Sequence, residues 1–209
     1  AKMTEDDMRA LYDYFMNEVE PVNLADQASE IPAVLNWRWP LAFWNVMFGK
    51  LSTYQVEDDQ SEDWNRGAYL VQGLGHCGAC HTPRGIALQE KTLDEDRSSF
   101  LAGAQLDHWS ASSLNGDINS GLGRWSEADI VEYLKTGKNR FGTAIGTMVE
   151  VINNSTQHMT DDDLMAIAVY LKSLPAVAEA GDAPYAYDAA AEVALSSMSL
   201  DEPGSATYF

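Results

Sequence analysis

Cysteine is nearly absent from this chain of 209 residues: there are two, Cys77 and Cys80. No disulfide framework that staples distant loops can come from them. Positive charge is scarce as well. Thirteen Lys and Arg stand against 32 Asp and Glu, for a net charge of −19, and no Lys or Arg occurs from Ala176 onward. A surface this acidic repels nucleic-acid phosphates and does not dock on anionic lipid by a basic patch. It suits solubility, in a salty habitat included, or steering toward a basic partner. Long hydrophobic runs are missing too. The most apolar stretch carries Trp37, Trp39, Phe43, Trp44, Met47, Phe48 and Leu51, but Arg38, Pro40, Asn45 and Lys50 interrupt it. It is too short and too polar to span a membrane.

What is present is concentrated in Gly75-His76-Cys77-Gly78-Ala79-Cys80-His81-Thr82-Pro83-Arg84. Both cysteines fall in C-x-x-C-H, the attachment sequence for a c-type haem. Two thiols three residues apart can each form a thioether to one haem vinyl, and the adjacent His81 then supplies an axial nitrogen. Three other uses of the pair are weaker. A thioredoxin-type dithiol needs a βαβ setting, which is lacking. A structural zinc site needs four ligands, and no second cysteine pair exists. A lone disulfide across a two-residue gap is strained. None of the three explains His81. Covalent haem attachment takes place outside the cytoplasm, so the motif predicts an exported, periplasmic protein. Ala1-Lys2-Met3-Thr4-Glu5 is no basic-then-apolar leader, so the export signal is expected to have been removed or to lie upstream.

Hydrophobic content of 45% supports a packed core. Residues 4–16 predict a helix, with Met8, Leu11, Tyr12 and Phe15 at helical spacing, Thr4 as its cap, Asp7 closing a capping box, and Pro21 as its stop. Residues 3–15 align with 159–171, agreeing at Met, Thr, two Asp, Ala and Tyr, which suggests a repeated module whose first copy shows only its final helix. The aromatic stretch at 37–51 is expected to be an ordinary helix packed on a core or, less commonly, a contact between modules or subunits. An acidic linker, Glu57 to Asp63, follows. A helix from Trp64 to Gly75 leads into the motif. Residues 85–124 are expected to be mostly loop, with turn signals at Gly103, Asn115-Gly116 and Gly121-Leu122-Gly123. Ser126 with Asp129 caps the next helix, which Gly137 ends. The last helix runs from Asp161 to about Leu174, before Pro175. Beyond it a tail rich in Ala, Asp and Glu has at most one short helix, Tyr187 to Leu195.

The second axial ligand decides the chemistry. Candidates are Met148, Met159, Met165, His108 and His158. Met148 is preferred because Ile145-Gly146-Thr147-Met148-Val149 is expected to be a loop between two helices, and a loop Met beside Gly can approach iron closely where one on a packed helix face cannot easily do so. Met165 is expected in the core, Met159 as a staple residue before the last helix, and His108 and His158 at the surface. His76 is too close to the attachment site to reach the far face. With His81 and Met148 both bound, the iron is closed on two sides and serves outer-sphere electron transfer. A labile sixth position would instead make a haem enzyme or a ligand-binding sensor, and a haem used only as scaffold or docking module is a third class. Around the haem, Pro83 and its neighbourhood are candidates to offer His81 a carbonyl. Arg84 and Arg124 are candidates to balance propionate charge, and Trp109 or Trp125 to donate an indole N–H.

At these residues the sequence resembles a known family. Trp64-Asn65-Arg66-Gly67-Ala68-Tyr69-Leu70-Val71 running into Gly75 to Arg84 is similar to the second haem module of the three-haem cytochrome c subunits of membrane-bound alcohol, gluconate and fructose dehydrogenases. Gly121 to Ser126, Tyr133 to Gly137 and Ala168 to Pro175 continue the likeness. The family's axial methionine follows Gly-Pro. Here the segment is Gly146-Thr147-Met148, so Thr147 stands for the proline. The resemblance implies a mainly α chain with a class I cytochrome c fold around one covalently attached haem c, a helical N-terminal extension and an irregular acidic C-terminal tail. It implies four parts: the terminal helix of a preceding module at 1–22, a connecting segment at 23–63, a cytochrome c domain at 64–176 and a linker at 177–209. Gly204 to Phe209 resembles the opening of a third module, so the chain is expected to be an interior piece of a longer protein. The implied partners are a catalytic dehydrogenase subunit and neighbouring haem modules or redox proteins. Nucleic acid is not among them, and membrane association would come only through parts outside this chain.

Overall fold

A computed structural model describes residues 2–25, 28, 30–32, 37–49, 52–106, 109–177, 183, 185 and 186. The expected surface His108, the short helix at 187–195 and the segment likened to a third module lie outside these. The described chain is mainly helical. Its helices are α1 (Glu5–Asn17), α2 (Trp39–Phe48), α3 (Glu62–Tyr69), α4 (Gly78–His81), α5 (Glu127–Thr136), α6 (Thr147–Asn154) and α7 (Asp161–Ser173). Two short antiparallel pairs join β1 (Ala104–Leu106) to β2 (Trp109–Ala111) and β3 (Lys138–Asn139) to β4 (Gly142–Thr143). The first pair falls inside the stretch expected to be mostly loop. Three-residue strands are too short for a period-two pattern to stand out.

The core is the crossing of α3 and α7. On α3, Trp64, Ala68 and Tyr69 are buried, and Leu70 and Val71 just beyond it; on α7, Leu164, Ile167, Ala168, Tyr170 and Leu171. Burying each large side chain contributes roughly 1.5–3 kcal/mol. The crossing is close because Gly67 has no side chain. A Cβ there would stand 2.0 Å from the carbonyl oxygen of Ala166 and 2.8 Å from Tyr170 Cβ. The Trp64 and Tyr170 rings meet edge to face at 5.1 Å, and Trp64 Nε1 donates to Ser173 Oγ at 2.7 Å. Arg66 grips Asp163 with two bonds of 2.7 and 3.1 Å. Just past α3 the backbone widens into a π turn, Leu70–Leu74, closed by Gly75 N–H on the Leu70 carbonyl at 2.7 Å. That turn delivers the chain to the attachment motif.

Capping follows the sequence at three helices. Thr4, Ser126 and Thr160 accept from the third residue of α1, α5 and α7, and Ser126 with Asp129 makes the reciprocal capping box. Gly137 ends α5 at φ 79°. At α1 the expected box is not closed. The Asp7 carboxylate accepts from Thr4 Oγ1 and from the Tyr69 hydroxyl, and the Thr4 N–H donates to that same hydroxyl at 3.1 Å. A side chain from the haem-motif body thus takes the place of the local partner. Although α7 buries its apolar face, the corresponding Met8, Leu11, Tyr12 and Phe15 of α1 are exposed.

The helix α2 also differs from expectation. Trp39, Leu41, Phe43, Val46 and Met47 are exposed, so it does not pack as an ordinary core helix. Met165, expected in the core, is 37% exposed because it points away from α3 on α7. Met159 packs on the edge of the core, as befits a residue preceding a helix.

Candidate haem-attachment site

Cys77, Cys80 and His81 lie on one helical turn. Cys77 caps α4 with helical dihedrals, φ −56° and ψ −32°. Residues three and four positions on from it therefore share its face. Both thiols and the imidazole project together. The turn stops at Thr82, φ −108° and ψ 132°. Pro83 requires that, since it drives the residue before it out of the α region. Thr82 is wholly buried, and its Oγ1 accepts the Leu101 N–H at 3.1 Å. The His81 carbonyl accepts Gly103 N–H at 2.8 Å. These bonds fix the end of the turn to the loop around Leu101, which holds φ 51°.

The ring of His81 is held by a distant peptide. Its Nδ1 lies 2.7 Å from the carbonyl oxygen of Ser112. A carbonyl only accepts, so Nδ1 carries the proton and Nε2 keeps its lone pair. Burial holds the imidazole below its ordinary pKa, with the Ser112 carbonyl opposing, so the neutral, ligating form is favoured. Burial also pushes the Cys77 thiol up to about 11, and the two cysteines are not joined to each other. Two thiols and a neutral imidazole with a free Nε2 on one face fit a covalently attached haem.

The carbonyl partner is not supplied by the neighbourhood of Pro83. The Pro83 carbonyl instead accepts from Lys91 N–H at 3.0 Å, within the following loop. Nothing in the sequence marks Ser112, which acts through its main chain 31 residues away. Arg84 is engaged by protein. Its Nη2 donates to the carbonyl of Ala79, within α4, at 2.5 Å, and its Nη1 to the Leu88 carbonyl at 3.2 Å, with Glu90 at 3.9 Å. Arg124 is exposed, with its guanidinium over the rings of Tyr185 at 4.1 Å and Phe141 at 5.7 Å. It has no carboxylate partner among the described residues. Trp125 stacks on Phe141 at 5.3 Å and meets Tyr133 edge to face at 5.3 Å.

Met148 is half-buried and sits in the first turn of α6, not in a loop. Gly146 caps that turn at φ 58° and ψ −143°. The indole of Trp109 closes on it: a Cβ on Gly146 would stand 3.0 Å from the ring. The strand β2 and the residue just after it therefore touch both the attachment turn and the start of α6. Trp109 braces the segment that bears Met148, and Ser112 orients His81. His158, at the surface as expected, places Nε2 3.1 Å from the Asn153 carbonyl.

No protein-family model matches the chain. Close relatives are nevertheless clear. The chain is 49% identical over 180 residues, 84% of its length, to the gluconate 2-dehydrogenase cytochrome c subunit of Pantoea cypripedii, of which it covers 41%. It is 46% identical over 212 aligned residues, its whole length, to the cytochrome c subunit of the quinone alcohol dehydrogenase of Gluconacetobacter polyoxogenes, covering 45% of that protein. Against the fructose dehydrogenase cytochrome subunit of Gluconobacter japonicus it is 40% identical over 183 residues, 86% of the chain and 36% of the relative. The chain thus spans less than half the length of these relatives, all of them named for the cytochrome subunit of a dehydrogenase and none for a catalytic one. Over most of its length, this chain is a homologue of the cytochrome c subunits of gluconate, alcohol and fructose dehydrogenases.

Proposed function

We propose that this chain is an electron-transfer relay, with residues 64–176 forming a class I cytochrome c domain around a single haem c. Cys77 and Cys80 would hold the haem through thioethers, with His81 and Met148 as axial ligands. The observation that carries this reading is the shared face of Cys77, Cys80 and His81, with Nδ1 of His81 committed to Ser112. A haem bound there supplies a one-electron couple at its iron. The protein's part is positional. Ser112 fixes the tautomer and rotation of His81 and raises its basicity as a ligand. Trp109 and Gly146 fix the start of α6, and with it the reach of Met148. Arg124, exposed and without a carboxylate partner among the described residues, would balance propionate charge, and Trp125 and Pro83 would lie near the same haem. Arg84 would act indirectly, by holding α4 to the loop after it.

The relatives' names support a place beside a catalytic dehydrogenase subunit; neighbouring haem modules or redox proteins would take the electrons onward, and covalent haem attachment outside the cytoplasm supports the periplasm. On that reading 1–22 ends a preceding module, 23–63 connects, and 177–209 leads onward. Optical spectroscopy of the holo-protein tests the ligation. The expected result is a low-spin spectrum with a weak sulfur-to-iron band near the red when oxidised, lost in Met148→Ala. An unchanged band in that variant, or rapid carbon monoxide binding by the native protein, would instead assign a different or labile sixth ligand.

A further inference from the structure

Asn115 lies in the loop after β2, three residues beyond the Ser112 carbonyl that orients His81, and is 2% exposed. Its polar groups are almost all in use. The main-chain N–H donates to Ser113 Oγ at 3.3 Å, and the carbonyl accepts from Leu122 N–H at 2.7 Å. The side-chain Oδ1 accepts from Asp117 N–H at 2.9 Å. That last bond fixes which end of the amide is oxygen, since only an acceptor can face an N–H. Nδ2 is therefore the other end. It is buried and has no partner among the described residues, and no other buried side-chain polar atom among them lacks one. A donor left unpaired at this depth is costly and rare in a native protein.

Asn115 borders a small cavity whose walls include Glu95, Arg97, Ser98, Phe100 and Leu174. The space open to the centre of a water molecule is about 10 Å³. That is room for a single water and nothing larger. The chemistry of the walls agrees. Nδ2 only donates, so the occupant must accept, which excludes a metal cation. Glu95 carries charge of the wrong sign for an anion, and Arg97, the one cation of the wall, is exposed to solvent. The Glu95 carboxylate also has an acceptor to spare. Its Oε2 takes the Tyr170 hydroxyl and Gln72 Nε2, each at 2.6 Å, whereas Oε1 has no hydrogen bond among the described residues. Water accepts from an amide and donates to a carboxylate at the same time.

We infer that this cavity is a binding site for one internal water, which accepts from Asn115 Nδ2 and donates to the Glu95 carboxylate. The water completes a chain of polar contacts that joins three segments around the attachment turn. Gln72 belongs to the π turn that leads into the motif, Tyr170 to α7, and Asn115 to the loop whose Ser112 holds His81. Glu95 reaches all three through direct bonds and the water. The site goes beyond the relay function and stands whatever ligand His81 carries. Two measurements on the holo-protein test it. A crystal structure at high resolution should show one ordered water within hydrogen-bonding distance of Asn115 Nδ2 and of a Glu95 oxygen. Oxygen-17 relaxation dispersion counts long-lived internal waters, and Asn115→Leu should lower that count by one while keeping the native haem absorbance. A dry cavity, Nδ2 turned onto a protein oxygen, an ion in place of the water, or an equal count in native protein and Asn115→Leu would overturn the assignment. Should that variant fail to fold, the crystal structure of the native protein decides alone.

Discussion

The Nδ1 atom of His81 lies 2.7 Å from the carbonyl oxygen of Ser112, a peptide next to the end of β2. Trp109, at the start of the same strand, packs on Gly146 two residues before Met148. One segment therefore sets the orientation of the imidazole and braces the start of α6.

Gly146→Ala probes that brace. Any side chain at φ 58° and ψ −143° is strained by about 1–3 kcal/mol and here also meets the Trp109 ring. The haem content should be unchanged, because the thiols and His81 are untouched. The weak sulfur-to-iron band of the oxidised protein should fade and carbon monoxide should bind faster, as absorbance will report.

Gly67→Ala should be among the most damaging single-methyl additions. The new Cβ would stand 2.0 Å from the Ala166 carbonyl, which cannot move without parting α3 from α7. Overpacking of this kind costs about 3 kcal/mol or more. Denaturant titration should show a much lower midpoint, whereas Gly142→Ala, with nothing within 4 Å, should leave it in place.

Tyr69→Phe removes one hydroxyl that accepts from Thr4 N–H and donates to the Asp7 carboxylate. The ring contact with Tyr54 at 5.8 Å remains. The loss should be about 1–2 kcal/mol, confined to the docking of α1. Amide exchange should speed up across α1 and stay slow in α3 and α7.

Acid stability should depend on Asp129. Bonds from Ser126 and then Arg140 hold its carboxyl down at about 2. A carboxyl depressed in the folded state stabilises the fold above its unfolded value, near 4, and that contribution is lost as pH falls toward about 2. Asp129→Asn should cost roughly 1 kcal/mol at neutral pH and flatten the fall in stability between pH about 4 and 2, as thermal melts across that range will show.

The local parts of this architecture were legible in the sequence because their causes are local. The caps at Thr4, Ser126 and Thr160, the stop at Gly137 and the attachment turn depend on residues within four positions. The partners that complete the site are remote. Ser112 uses a main-chain carbonyl, which any residue type offers, so no pattern announces it. An arginine beside a haem motif invites pairing with propionates, but the pattern does not announce the protein contacts Arg84 makes: its fork meets the Ala79 and Leu88 carbonyls, whose positions only the folded loop defines. Apolar composition marked 37–51 as a helix but not where its faces point. Composition alone cannot tell a core helix from one whose apolar groups meet solvent or lipid.

The central claim is one haem covalently held by Cys77 and Cys80, and intact mass under denaturing conditions tests it most directly. The purified native chain should be heavier than its polypeptide by one haem, and the Cys77→Ala, Cys80→Ala double variant by none. A native chain at the mass of the bare polypeptide, or a haem retained by the double variant, would contradict the account.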